Sequence, residues 1–210
     1  MTRRYLPLLE RLDAWQRKVD QSHPNLIPCR SGCSACCHGP FDISAADVAT
    51  LADGFRLLDS ETRAAVVAAS RAQIGRVQAI EPNWQAPFDI AAIGEARFDK
   101  VSDSLATLPC PMLATDQRCL VYRHRPMVCR VIGIGLETES GEVIENACPI
   151  QGDYPAYAAL APQAFPLEAW EAEEEEEKTA AAIVLFGDAG RAGYETTIAG
   201  AVMTWMADQP

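Results

Sequence analysis

Apolar residues recur at helical spacing near the start of the chain and predict an amphipathic helix over about residues 5–20. The residues that form its apolar face are Leu8, Leu9, Leu12, Trp15 and Val19. Pro24 and Pro28 follow this segment closely. Because proline cannot continue a helix, the helix should end before the cysteine-rich segment that begins at Cys29.

A second helix is predicted from its start signal. Ser44 is followed three residues later by Asp47, which is the pattern of a capping box with aspartate in place of the usual glutamate or glutamine. The apolar face of this helix consists of Val48, Leu51, Phe55 and Leu58. A third helix is expected to begin at Ser60 and to carry an apolar series of its own.

The pattern becomes irregular after about residue 80. The proline-containing stretch 81–95 predicts a covering loop, in which Trp84 and Phe88 either fill the core or shield a metal cluster from water. Two short apolar runs around a turn at 140–141 predict a β-hairpin. From about Glu168 two more helical stretches are expected. The apolar face of the last consists of Tyr194, Ile198, Val202 and Trp205.

The net charge of −11 disfavours two classes of partner. Nucleic-acid phosphates need a basic surface, and an anionic membrane surface would repel the protein. Part of the charge is local, since seven glutamates lie between Glu168 and Lys178. This run indicates a solvated helix face or, alternatively, a docking surface for a basic protein partner.

Compartment and redox state follow from the apolar pattern. No run of 18 apolar residues occurs, and Glu10, Arg11 and Asp13 interrupt what would be the core of a signal peptide. We therefore expect a cytoplasmic protein that does not span a membrane. In a reducing compartment, clustered cysteines indicate metal binding or catalysis rather than disulfides.

Eight cysteines form two groups separated by about seventy residues. They are Cys29, Cys33, Cys36, Cys37, Cys110, Cys119, Cys129 and Cys148. The first four have the spacing C-x3-C-x2-C-C, in a loop where Gly32 and Ser34 allow tight turns. Clustered thiolates of this kind bind zinc or iron–sulfur clusters, and we predict that all eight are metal ligands. Two four-cysteine zinc sites, one cluster with spare cysteines, and two clusters all fit the count.

Together these signals predict a mainly α fold with a small β-hairpin and a metal-organised cysteine-rich centre between helices. We expect residues 1–160 to form a cysteine-cluster metal-binding domain. Residues 161–210 should form a C-terminal helical extension packed on the same domain. Adjacent Cys36 and Cys37 are expected to point to different partners, or one is a ligand and the other packs, because binding one tetrahedral zinc with both would be strained.

Polar residues beside the cysteines are further candidates. Arg125 and Arg130 flank Cys129, where a guanidinium would lower thiol pKa values and hold an anionic substrate or cofactor; alternatively, each pairs with a nearby carboxylate. His38 follows the double cysteine. It is a nitrogen ligand of the metal, a hydrogen-bond donor to a ligand, or an exposed side chain. His124 is expected in solvent, and His23 at a helix end.

The cysteine pattern resembles the C-x-x-C-x-x-C-C signature of the YkgJ-type cysteine-cluster family, described as chelating zinc or iron. The segments that carry the resemblance lie between about residues 25 and 150: the loop at Cys29, "LPCPML", "RCLVY", "HRPMVCR" and "ACP". Cys29 and Cys33 are separated by three residues where the family has two. The motif is also similar to that of flagellin lysine methylases, which implies an iron–sulfur cluster. No methyl-donor fingerprint accompanies it.

Three functions are consistent with these observations. The first is a metal-binding module that holds an iron–sulfur cluster, with a four-iron four-sulfur type favoured, or zinc. The second is a metal-supported enzyme, for protein methylation or thiol chemistry, which requires a concave pocket near Cys129 with an unoccupied coordination position or a bound small molecule. The third is metal storage or delivery. The substrate and any protein partner are not readable from the sequence.

Overall fold

Helices dominate the fold, which confirms the predicted mainly α class. A computed structural model describes residues 4–30 and 32–207. Its α-helices are α1 (Tyr5–Ser22), α2 (Ala45–Arg56), α3 (Ser60–Gln78), α4 (Glu95–Ser104), α5 (Val128–Val131), α6 (Pro155–Ala158), α7 (Leu167–Phe186) and α8 (Ile198–Trp205). Its strands are β1 (Asp42–Ser44), β2 (Leu136–Glu137), β3 (Val143–Ile144), β4 (Gln163–Ala164) and β5 (Glu195–Thr197).

The predicted start of α2 is confirmed in detail. The Ser44 hydroxyl accepts a hydrogen bond from the Asp47 N–H, and the Asp47 carboxylate accepts one from the Ser44 N–H, each at 3.2 Å. This reciprocal arrangement satisfies two N–H groups at the helix start. At the start of α3, the Asp59 carboxylate accepts a single capping hydrogen bond from the Thr62 N–H at 2.8 Å.

Two apolar cores hold the helices together. The larger joins α1, α2, α7 and α8 and extends to the cysteine-bearing segments. The smaller lies between α3, α4 and the 81–95 loop, where Trp84 and Phe88 are buried. These two aromatic side chains therefore fill a core; they do not line the cavity beside the cysteines.

The strands form two small sheets. The predicted hairpin is present, with β2 and β3 antiparallel around the turn at 140–141, and β4 adds in parallel to β2. The antiparallel pair of β1 and β5 was not predicted. Each strand is only three residues long, which leaves little periodicity to detect.

The end of the chain departs from the sequence prediction. Tyr194 precedes β5 and does not lie on α8, because Thr197 caps that helix by accepting a hydrogen bond from the Gly200 N–H at 3.0 Å. Helix α7 packs on α2, and α8 packs on α3. The boundary between residues 160 and 161 stays a prediction.

Candidate metal centre

Seven of the eight cysteines line one cavity of about 560 Å³. They are Cys29, Cys33, Cys36, Cys37, Cys110, Cys119 and Cys129. Much of the remaining wall is apolar and includes Leu51 of α2 and Ile198 of α8. All eight cysteines are free thiols. Within residues 4–30 and 32–207, no three His, Cys, Asp or Glu side chains stand close enough together to hold one metal ion.

Consecutive turns shape the first cysteine group. The Cys33 N–H donates to the Arg30 carbonyl at 2.8 Å, and Gly32 supports that turn with a φ of +92°. The Cys37 N–H donates to the Ser34 carbonyl at 2.9 Å. Because each turn reverses the chain within four residues, several thiols of this short segment reach the same cavity.

Strand-like pairing joins the two cysteine groups. The Cys110 N–H donates to the Cys37 carbonyl at 2.9 Å, and the Gly39 N–H donates to the Leu108 carbonyl at 2.6 Å. Gly39 has a φ of +88°, and a Cβ there would lie 3.3 Å from the Ala106 Cα. A glycine is therefore required at the point where the two segments approach each other.

A tight hairpin-like segment supplies Cys119. Leu113 pairs with Cys119, and the Leu120 N–H donates to the Met112 carbonyl at 2.9 Å. At its tip, the Ser34 hydroxyl donates to the Gln117 side-chain oxygen at 2.6 Å. This bond ties the segment back to the first cysteine loop.

Cys148 differs from the other seven cysteines in its position relative to the cavity. It does not line the cavity, although its thiol interacts with that of Cys29. The Tyr157 hydroxyl donates to the Gly133 carbonyl at 2.5 Å and also contacts the Cys148 thiol. A Cβ at Gly133 would lie 3.7 Å from the Cys29 sulfur. Tyr157 and Gly133 thus position Cys29 and Cys148 next to each other.

The thiols interact within two overlapping neighbourhoods. Cys29 interacts with Cys36, Cys33 and Cys148. Cys129, carried by α5, interacts with Cys110, Cys119 and Cys36. The adjacent Cys36 and Cys37 thiols form a hydrogen bond with each other, and the Cys37 backbone pairs with Cys110. The pair therefore lies between the two neighbourhoods.

Burial and positive charge act on the thiols in opposite directions. Burial raises the pKa of Cys29 to about 11 and that of Cys110 to about 12, and it raises the pKa of Cys119. The Arg125 guanidinium opposes the rise in pKa at Cys29 and Cys119. Among the described residues no aspartate or glutamate lines the cavity, whereas Arg125 does.

Both predicted arginines are held by one carboxylate. The Arg125 Nη2 lies 2.8 Å from the Asp13 Oδ1, and Arg130 forms an ion pair with the other Asp13 oxygen. Arg125 reaches the cavity wall, and Arg130, which lies on α5, is fully buried. Binding of a cofactor by these arginines stays a prediction, as does the metal-ligand role of the eight cysteines.

The histidines take different positions. His38 lines the cavity. His124 is half-buried and packs against Gly54 of α2, and burial lowers its pKa. It is therefore not fully in solvent as expected. His23 lines a separate cavity of about 390 Å³, which shares Cys29 and Arg30 with the first.

Sequence reasoning missed Asp13 and Tyr157 as residues of this region. Asp13 had a detectable signal, because it lies four residues after Leu9 and so falls on the buried side of α1. A charged side chain at such a position usually has a buried partner. Tyr157 lies on the four-residue α6, which is too short to show a pattern.

Residues 28–149 match the family CxxCxxCC, described as "Putative zinc- or iron-chelating domain". The chain belongs to the CxxCxxCC family. The matched residues include all eight cysteines and exclude α1, α7 and α8. The family description supports chelation of zinc or iron in general. No curated protein and no solved structure matches the chain. None of the helices in the described part of the chain has the length and apolar character needed to cross a membrane.

Proposed function

We propose that this protein holds an iron–sulfur cluster, of the four-iron four-sulfur type, through cysteines of the 560 Å³ cavity. The carrying observation is the wall of that cavity, to which seven thiols contribute. Thiolates are the soft ligands that iron–sulfur clusters use, and zinc with four thiolates is the alternative.

The size of the cavity favours a cluster over a single ion. One zinc ion with four bonds of about 2.3 Å to sulfur fills a small part of such a space. A cluster of several metal and sulfide atoms reaches thiolates that are further apart. Such a cluster would supply electron transfer or Lewis-acid chemistry, and the residues of the chain would bind it and exclude water.

The charge of the wall is also suitable. A centre built from several thiolates is negatively charged, and carboxylates close to it would repel it. The described wall has none and includes Arg125. Cys36 interacts with both thiol neighbourhoods and forms a hydrogen bond with Cys37. We therefore expect the Cys36–Cys37 pair to bind the cluster in either neighbourhood.

Metal and sulfide content, with an absorption spectrum, test the proposal on protein purified without oxygen. Iron and acid-labile sulfide in near-equal amounts in a brown protein would support it. A colourless protein with one or two tightly held zinc ions would refute the cluster and favour zinc. Loosely held metal in variable amounts would instead favour storage or delivery.

A double variant links the metal to the cavity. Cys36→Ser with Cys37→Ser should lose metal and unfold more easily, because formation of a thiolate site contributes to folding. Ser60→Ala, at an exposed position that does not line the cavity, is the control and should keep its metal. Full metal content in the double variant would exclude the proposed site.

An enzymatic role is a second candidate, because a concave cavity beside Cys129 supports one part of what it requires. Cys129 and Arg125 lie in the wall of a cavity whose volume is typical of small-molecule sites. Binding of S-adenosylmethionine to the metal-loaded protein, followed by methyl transfer to a lysine-containing protein, would support methylation. A loaded protein that neither binds nor consumes this donor would exclude methylation.

We also propose a cytoplasmic location and an unidentified protein partner or substrate, with neither nucleic acid nor membrane as a partner. Free thiols persist in a reducing compartment. The net charge of −11 supports the exclusion of anionic partners. The acidic segment of α7 is partly engaged within the fold, since Glu173 pairs with Arg11 and Glu174 contacts Tyr5.

A further inference from the structure

Helix α1 precedes the matched residues 28–149, yet it contributes a charged residue beside the cysteine cavity. We propose that Asp13, with Arg125 and Arg130, is a positioning cluster that fixes Cys129 and sets the electrostatic environment of the metal centre. This inference rests on the proposed metal binding. It extends the functional unit beyond the family domain to α1.

The contacts show how the cluster fixes Cys129. The Arg125 Nε donates to the Cys129 carbonyl at 3.3 Å, and the Arg130 Nε donates to the Arg125 carbonyl at 3.1 Å. Arg130 also donates to the Arg123 carbonyl at 2.7 Å. Both guanidiniums therefore bind the backbone of the segment that carries Cys129, and Asp13 holds both guanidiniums.

The cluster carries a net positive charge, because two guanidiniums share one carboxylate. The side chain of Arg125 is 8% exposed, that of Arg130 is 0% exposed and that of Asp13 is 19% exposed. Charges so far from solvent are weakly screened and act on their neighbours over several ångströms. Asp47 of α2 is a second carboxyl that acts on Arg130, and it also interacts with Cys129, whose pKa it raises.

Two variants distinguish the electrostatic role of the cluster from simple packing: one removes a negative charge and the other removes a positive charge. Asp13→Asn removes negative charge and should raise the reduction potential of the loaded cluster, because positive surroundings favour the more negative, reduced form. Arg125→Gln should lower the potential. Arg125→Lys keeps the charge and should remain close to the unmodified protein.

Glu10→Gln is the matched control on the same helix. Glu10 pairs with Arg123 at an exposed position, at 2.8 Å, so its removal should leave the potential unchanged. Shifts of the same sign in Asp13→Asn and Arg125→Gln, or shifts no larger than that of the control, would overturn the proposal. If Asp13→Asn does not fold, the comparison of Arg125→Gln with Arg125→Lys decides alone.

The same variants serve if the metal is zinc. Competition with a chelator should then show an affinity that rises in Asp13→Asn and falls about 10-fold in Arg125→Gln. Equal affinities would overturn the proposal. An unmodified protein that takes up neither iron with sulfide nor zinc would refute the proposed function itself. Bound metal whose potential or affinity does not respond to these charges would refute only the role of the cluster.

Discussion

Asp47 is a buried carboxyl whose ionisation should control how stability depends on pH. It is 4% exposed and accepts hydrogen bonds from the Met127 N–H at 2.9 Å and from the Ser44 N–H at 3.2 Å. The Tyr5 hydroxyl lies 3.0 Å from Asp47 and 2.8 Å from Glu174. Burial and the nearby Glu174 carboxylate favour the protonated form of Asp47, whereas the hydrogen bonds donated to its carboxylate oppose this rise in pKa without cancelling it.

Burial raises the pKa of Asp47 from its ordinary value of 3.8 to about 6. Since one pKa unit corresponds to about 1.4 kcal/mol, the difference between the Asp47 pKa in the folded and unfolded states amounts to about 3 kcal/mol in the free energy of unfolding. The folded protein holds this proton between about pH 4 and about pH 6, and the unfolded chain does not. The stabilisation of the folded protein by this proton is therefore fully present below about pH 4. It falls as the pH rises and is lost above about pH 6.

We expect Asp47→Asn to remove this dependence. At about pH 4 the variant should be less stable by about 1–3 kcal/mol, because asparagine offers one acceptor oxygen to several donors. Between about pH 4 and about pH 7 the free energy of unfolding of the variant, relative to that of the unmodified protein, should rise by about 3 kcal/mol. Urea unfolding of both proteins at a series of pH values measures the difference in their free energies of unfolding. Groups that titrate in the same way in both proteins do not contribute to this difference.

The control is Asp53→Asn on the exposed side of α2, where the aspartate pairs with Arg56 at 2.5 Å. Its difference from the unmodified protein should stay small at every pH. A difference for Asp47→Asn that does not change with pH would refute the reasoning. It would mean that Asp47 stays ionised in the folded protein.

Three further changes are expected to alter stability by measurable amounts, each checked by urea unfolding. Leu51→Ala removes a fully buried side chain of the cavity wall and should lower the free energy of unfolding by about 2–5 kcal/mol. Leu57, which is 77% exposed, is the control, and Leu57→Ala should cost less than about 0.5 kcal/mol. Equal costs would contradict the described core. Gly39→Ala should cost more than about 1 kcal/mol, given its positive φ and the 3.3 Å approach to Ala106, and a neutral result would exclude that approach. Tyr5→Phe should lower the free energy of unfolding by about 1–3 kcal/mol, because it removes a hydrogen-bond donor to two buried carboxyls. An unchanged free energy of unfolding would contradict this and would mean that water replaces the hydroxyl.

Local features of the fold were predictable because their causes lie within a few residues. The capping box of Ser44 and Asp47 and the apolar spacing of α1 each act within one or two helical turns. The turn at 140–141 likewise joins strands that are adjacent in the chain. For the same reason, the cysteine spacing indicated chelation of zinc or iron before any fold was known, and the family match agrees.

The composition of the centre depends on contacts that no local pattern encodes. Asp13 and Arg130 are 117 residues apart, and Cys37 meets Cys110 only through backbone pairing of two distant segments. Such pairings form because the folded core brings α1, α2 and α5 together. The sequence by itself therefore indicated the longer helices and, through the cysteine spacing, a family that chelates zinc or iron. Only the tertiary structure decided that seven thiols share one cavity and that a carboxylate from α1 holds both Arg125 of its wall and the buried Arg130, because long-range packing sets those distances.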